Sequence, residues 1–399
     1  MHVQSVSQAE VELDAEIAQA RHDLVARDLI EMTKSKGFGG SPQMVSHKSR
    51  IGLKRAKGPA VNRSESLAEG EAQEATAARV AAGATFVAYR PSSFEQLWLD
   101  NVREWQHTAC SHLDRRNASE WMRSVQRLTS SEGKEDMIQY SDTPTPPPAV
   151  TNSPLSSFTY ELTRSDRPAQ FAHVLIEPTA GIVKDPRKCW DPHGYGQSKE
   201  YFFPLTGTAA ATAGLWAPQA AAGNRRAGRK ILFDAGATLP TGGDSSKTSW
   251  TGTSFIFKMY EQRGIVFDRI YAWEPSLRGK VDVEQAKAKM DPNIARGLHF
   301  FLRGCSAAVA HPDNPLTLIA SICRPEDFCV FKLDVDTTHI EMSLAAQLLW
   351  GDAELRSLVD EFYFEHHFVR DQGARDNMES WYAMATYARR SGLRMHYWP

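Results

Sequence analysis

Two stretches, RKILFDAGAT (229–238) and FDRIYAWEP (267–275), decide the fold. In the first, Lys230 to Phe233 is a short apolar strand that runs into Asp234-Ala235-Gly236-Ala237-Thr238. A loop with Pro240, Gly242 and Gly243 follows, then a helical stretch from Ser245 through Arg263, stopped by Gly264. The second stretch is another strand, Phe267 to Trp273, ending on Glu274-Pro275. Strand, glycine loop, helix and strand with a terminal acid make a βαβ unit, which crosses over right-handed into a parallel sheet. Ligands of such sheets sit at the carboxyl ends of the strands. There Gly236 permits close backbone approach and Glu274 can accept from ribose hydroxyls.

Spacing separates the ligand classes that use this architecture. A phosphate-binding P-loop needs glycine six residues before its lysine and again immediately before it. Measured from Lys247, those positions hold Thr241 and Ser246. A dinucleotide fingerprint needs a second glycine that Gly236-Ala237-Thr238 lacks. What survives is a carboxylate and a tight turn with no pyrophosphate cradle. That suits a nucleoside joined to a zwitterionic amino acid.

Composition narrows the class. Lys plus Arg is 46 and Asp plus Glu is 48, a formal net charge of -2, so whole-protein docking on nucleic acid or anionic membrane is not expected. No apolar run approaches the roughly 20 residues a spanning helix needs. The N-terminus, MHVQSVSQAEVELDAEIAQ, lacks a basic start followed by an apolar core, so no secretory signal is expected. Five scattered cysteines point to a reducing, cytoplasmic setting, and Cys323 and Cys329 read as buried thiols. Cys189-x3-His193 is half of a zinc pattern with no second pair to complete it, so no metal is expected.

On its motifs the chain resembles the class I S-adenosylmethionine-dependent methyltransferases, in particular the FkbM-like branch. Phe233-Asp-Ala-Gly-Ala237 is similar to the first motif, and Tyr271-Ala-Trp-Glu-Pro275 to the aromatic-Glu-Pro signature. Val330-Phe-Lys-Leu-Asp-Val-Asp336 and Glu361-Phe-Tyr-Phe-Glu-His-His-Phe368 resemble the later strand motifs. The resemblance implies an α/β fold, a Rossmann-like sheet with helices on both faces, and S-adenosylmethionine as cofactor. It implies that Asp234, Gly236 and Ala237 lie against the methionine portion and that Glu274 holds the ribose. Asp334 and Asp336 would lie near the transferring methyl. For a hydroxyl acceptor on a small molecule or glycan, Glu365, His366 or His367 would supply the base, and only one of the two histidines can face the site. Thr238 and Pro240 stand where the family has Asn and Gly, and Thr337 and Thr338 where it tends to have Gly. These departures favour the alternative, a catalytically inactive binding module of the same fold.

The rest of the chain divides into residues 1–90, a largely disordered or helical extension, then 91–154, a helical segment with a Pro-rich linker, then the 155–399 domain. Within the first part, residues 9–32 carry an amphipathic stripe, and Lys34 to Lys57 are basic without acids. Residues 33–85 read as linker. Ser92-Ser-Phe-Glu95 reads as a capping box opening a helix with Phe94, Trp98, Val102 and Trp105 on one side; Trp121 and Val125 continue the pattern after a break. SDTPTPPPAVTNSP (141–154) reads as a stop excluding helix and central strand. Phe158–Leu162 and Phe171–Ile176 alternate like strands, Asn377–Arg390 reads as the closing helix, and Leu393–Trp398 as the last strand.

Overall fold

The computed structural model describes residues 84–105, 137–162, 169–179, 203–212, 228–238, 253–366 and 377–398. The expected helix at 9–32, the basic segment, the Trp121–Val125 helix, Cys189, His193, the loop with Pro240 and Lys247, and His367 lie outside them.

Strands β1 (Ala84–Arg90), β2 (Ile138–Ser141), β3 (Ser156–Leu162) and β4 (Gln170–Ile176) form an antiparallel sheet in the order β1-β3-β4-β2. This pairing cuts across the division expected from sequence. β1 lies in the stretch assigned to the extension and β2 beside the Pro-rich linker, yet both pair with strands assigned to the C-terminal domain. Composition misled here because a strand's partners are non-local. The Pro-rich stretch is not free of helix either: Pro148–Thr151 makes one helical turn with Pro148 at its start, where a missing N–H costs nothing.

Six further strands form an all-parallel sheet: β5 (Lys230–Ala235), β6 (Arg269–Trp273), β7 (Leu298–Phe301), β8 (Phe328–Leu333), β9 (Glu361–Phe364) and β10 (Arg394–Tyr397). Their order is β10-β9-β8-β5-β6-β7. From β5 the chain steps outward through β6 and β7, then returns to the other side of β5 and steps outward again. The connections therefore part between β5 and β8, which opens a crevice beyond the carboxyl ends of those two strands. Parallel strands are buried on both faces and read as apolar runs; β8 is buried throughout. Phe233, Phe331 and Phe362 lie side by side on one face, with the Phe331 and Phe362 rings stacked.

Five helices connect or brace these strands: α1 (Ser93–Trp105), α2 (Thr253–Glu261), α3 (Pro315–Ile322), α4 (Thr338–Trp350) and α5 (Asn377–Arg390). α2 is the described part of the expected crossover helix, and Gly264 at φ +77 turns the chain after it. α5 packs on α1 and on β10, so it joins the first described helix to the last strand. α3 ends at Cys323, which is bonded to Cys329 at the start of β8. The expectation of two free thiols is corrected: the turn between α3 and β8 brings them together. Among the described residues no helix is long and apolar enough to cross a membrane.

Candidate functional site at the strand ends

Partners lying side by side in a parallel sheet share a face, and alternate residues point to opposite faces. The register places Asp234, Lys332, Tyr363 and His396 in one row across β5, β8, β9 and β10. One row earlier on the same face come Glu361 and Arg394. One row later, where pairing continues just past the strands, come Gly236, Asp334, Glu365 and Trp398. One face of the sheet is thus polar on three consecutive rows, although it is buried.

The inner groups form a closely paired cluster with their neighbours. Glu361 accepts from Arg394 Nε at 3.0 Å, from the Leu205 amide at 3.1 Å and from the Tyr260 hydroxyl, and His396 Nε2 lies 3.2 Å from it. His396 Nδ1 lies 2.5 Å from Glu177, which follows β4 and also accepts from the Phe203 amide. Arg389 of α5 donates to the Tyr89 hydroxyl and to the Glu177 carbonyl. Glu95 is fully buried and accepts from Tyr89, Ser156 and Thr179. Half of the expected capping box is present, since the Glu95 amide donates to Ser92 Oγ at 3.1 Å. The Glu95 carboxylate instead turns into the core, drawn by Arg389. Burial would raise the Glu177 and Glu361 pKa values, but the neighbouring His396 and the arginines hold both below the ordinary carboxylate value. Burial would lower His396, and the two carboxylates raise it instead.

The strand-end cluster around Lys332 is different. Lys332 Nζ reaches Asp234 Oδ1 at 2.9 Å, the Gly236 carbonyl at 2.8 Å and Asp334 Oδ2 at 3.0 Å, with no exposure. Thr253 Oγ1 donates to the other Asp234 oxygen at 2.5 Å. Burial would lower the Lys332 pKa, and the two aspartates raise it. Asp334 is also subject to burial, yet Lys332 and the hydrogen bond from Trp398 Nε1 help to hold it down at about 2. At the start of α4, Glu341 accepts from the Val335 amide at 2.8 Å. Oxygens of Asp334, Glu341 and Glu365 lie within 4.8 Å of one another, a hard-donor set of the kind that divalent cations accept.

Asp234, Gly236, Ala237, Glu274, Asp334 and Glu365 fall at neighbouring strand ends. The pairing of Ala235 with Trp273 sets Gly236 beside Glu274 on neighbouring strand ends. Glu274 is half-buried, and its Oε1 accepts from the Ser276 amide at 2.7 Å. Gly236 adopts φ +84, and a Cβ there would fall 1.3 Å from the Asp334 carbonyl oxygen. The close approach is therefore made by the protein's own β8 end. The amides of Gly236 and Ala237 both donate to the Trp273 carbonyl. Asp336 is exposed and left-handed at φ +53, outside the buried row. His366 lies one residue after Glu365 and packs on Phe364 and Trp381, away from the polar face. Sequence reasoning missed Thr253, Glu341, Arg394, His396 and Trp398. For the last three a signal existed, because Arg394, His396 and Trp398 alternate with Met395 and Tyr397 in an otherwise apolar strand.

Comparison of the chain with protein-family models, curated proteins and solved structures finds no match.

Proposed function

We propose that the crevice between β5 and β8 binds S-adenosylmethionine and that the protein is a methyltransferase of Rossmann-like class I architecture, acting on a hydroxyl of a small molecule or glycan. The observation that carries the reading is the acid surplus at the carboxyl-end row. Lys332 pairs with Asp234 and Asp334, and Glu341 and Glu365 lie beside Asp334. Such a site attracts a cationic ligand and repels phosphates, which fits a nucleoside carrying a sulfonium and an ammonium group. The donor set fits at the sugar end too, since Glu274 stands half-buried at the end of β6.

Methyl donation is the chemistry that the cofactor supplies there. The chain's own part is orientation and charge. Glu274 accepts from the ribose hydroxyls, and Asp334 with Glu341 faces the positive centre. Glu365 is the group placed to take the proton from an acceptor hydroxyl.

A second reading, a silent binding module, is favoured by one observation. Both oxygens of Asp234 and the amides of Gly236 and Ala237 are engaged within the protein. Calorimetric titration with S-adenosylmethionine and S-adenosylhomocysteine decides between them. Binding that weakens at least tenfold in Glu274→Ala supports the methyltransferase; absence of binding to either compound removes it and leaves the module.

A further inference from the structure

The carboxyl-end row contains one side chain from the far edge of the sheet. Trp398 follows β10, and its amide donates to the Phe364 carbonyl, which continues the pairing with β9. Its side chain is fully buried on the polar face. The indole Nε1 donates to Asp334 Oδ2 at 2.8 Å, the oxygen that Lys332 Nζ also contacts at 3.0 Å. The face of the same ring lies 5.2 Å below Lys332 Nζ. Phe255 of α2 and Tyr363 of β9 meet the ring edge-on, each at 6.0 Å, and fix its plane. An indole clamped on two sides can neither swing away from the carboxylate nor let it turn.

We propose that Trp398 is a positioning residue for the strand-end site. By holding one Asp334 oxygen and supporting the ammonium above it, Trp398 sets the direction in which the carboxylate faces the crevice. The site is then complete only when β10 is docked. The inference rests on Asp334 and Lys332 marking the site proposed for the cofactor, and is independent of which cofactor binds.

Trp398→Phe keeps an aromatic ring under Lys332 and removes the N–H donor. Carboxyl-carbon NMR should show Asp334 binding its proton about tenfold more tightly in this variant, one unit of upward shift. The affinity for S-adenosylhomocysteine, measured where both proteins are folded, should fall about tenfold. A role confined to packing would lower stability and leave the Asp334 titration alone, and that result overturns the proposal. The bond can also be read with Trp398 in place. Asp334→Asn should move the indole N–H resonance of Trp398 more than those of the other tryptophans, and an unmoved resonance overturns the proposal even if Trp398→Phe does not fold. Should the natural protein bind no S-adenosylhomocysteine, the cofactor reading falls, while the two NMR measurements still decide the role of Trp398.

Discussion

An inner cluster around Glu361 and a strand-end cluster around Lys332 share the polar face of the parallel sheet, and they balance charge differently. In the inner cluster Glu95, Glu177 and Glu361 meet Arg389, Arg394 and His396, with Arg263 close by. In the strand-end cluster Lys332 pairs with Asp234 and Asp334, and Glu341 and Glu365 stand beside Asp334. Charges sealed between two sheets must be matched, because an unpaired one bears the full cost of desolvation. A surplus of one sign is tolerated only where water or a ligand can reach it. The difference separates a region that holds the two sheets together from one that can accept a cationic partner.

The contrast breaks most visibly at Arg394. Arg394→Met leaves Glu361 buried without its guanidinium, and urea unfolding should show a loss of about 3–5 kcal/mol. A loss below about 1 kcal/mol would mean that the inner network is not the clamp described.

Next comes pH. The folded pKa of His396 is raised above its ordinary 6.5, so its contribution is fully present below that pH and is lost as pH rises through the folded value. Glu177 and Glu361 are shifted down from 4.5, so their contribution is present above that pH and is lost as pH falls through their folded values. Stability should therefore decline on both sides of a plateau between these limits. His396→Gln should flatten the alkaline side, by about 1–3 kcal/mol. An unchanged alkaline decline would assign it to another group.

The Cys323–Cys329 bridge, at the opposite end of β8, sharpens the contrast as a control. Opening it should lower stability by about 2 kcal/mol for so short a loop. The alkaline decline and cofactor affinity should stay as they were, as thermal melts and calorimetry of Cys323→Ser would show. The smallest expected change is in the stability of Glu274→Ala. It should stay within about 0.5 kcal/mol of the natural protein, because this half-buried side chain lies outside both networks. A larger drop would place Glu274 among the structural residues.

Much of the parallel sheet was legible in advance. The strands around Phe233, Tyr271, Phe331 and Phe362 are short apolar runs punctuated by Gly, Pro or acids, and such signals act locally. The expected closing helix, Asn377–Arg390, matches α5. The site was half legible. Asp234, Glu274 and Asp334 could be found because each stands at a strand end. Lys332 stands in the quoted motif without a role, whereas in the fold it ties Asp234, Asp334 and the Gly236 carbonyl together. Glu95 was misread because a capping box is a local pattern, while Arg389 comes from 294 residues further along the chain.

By itself the sequence determined the elements, their parallel βαβ character and the acids at the strand ends, because periodicity and turn chemistry are properties of neighbouring residues. Only the tertiary structure decided that β1 and β2 join one sheet with β3 and β4, that Gly236 yields its space to the backbone of β8, and that Trp398 reaches Asp334. Those outcomes depend on which distant segments come to lie side by side. Register and burial fix that, and no local stretch of chain encodes it.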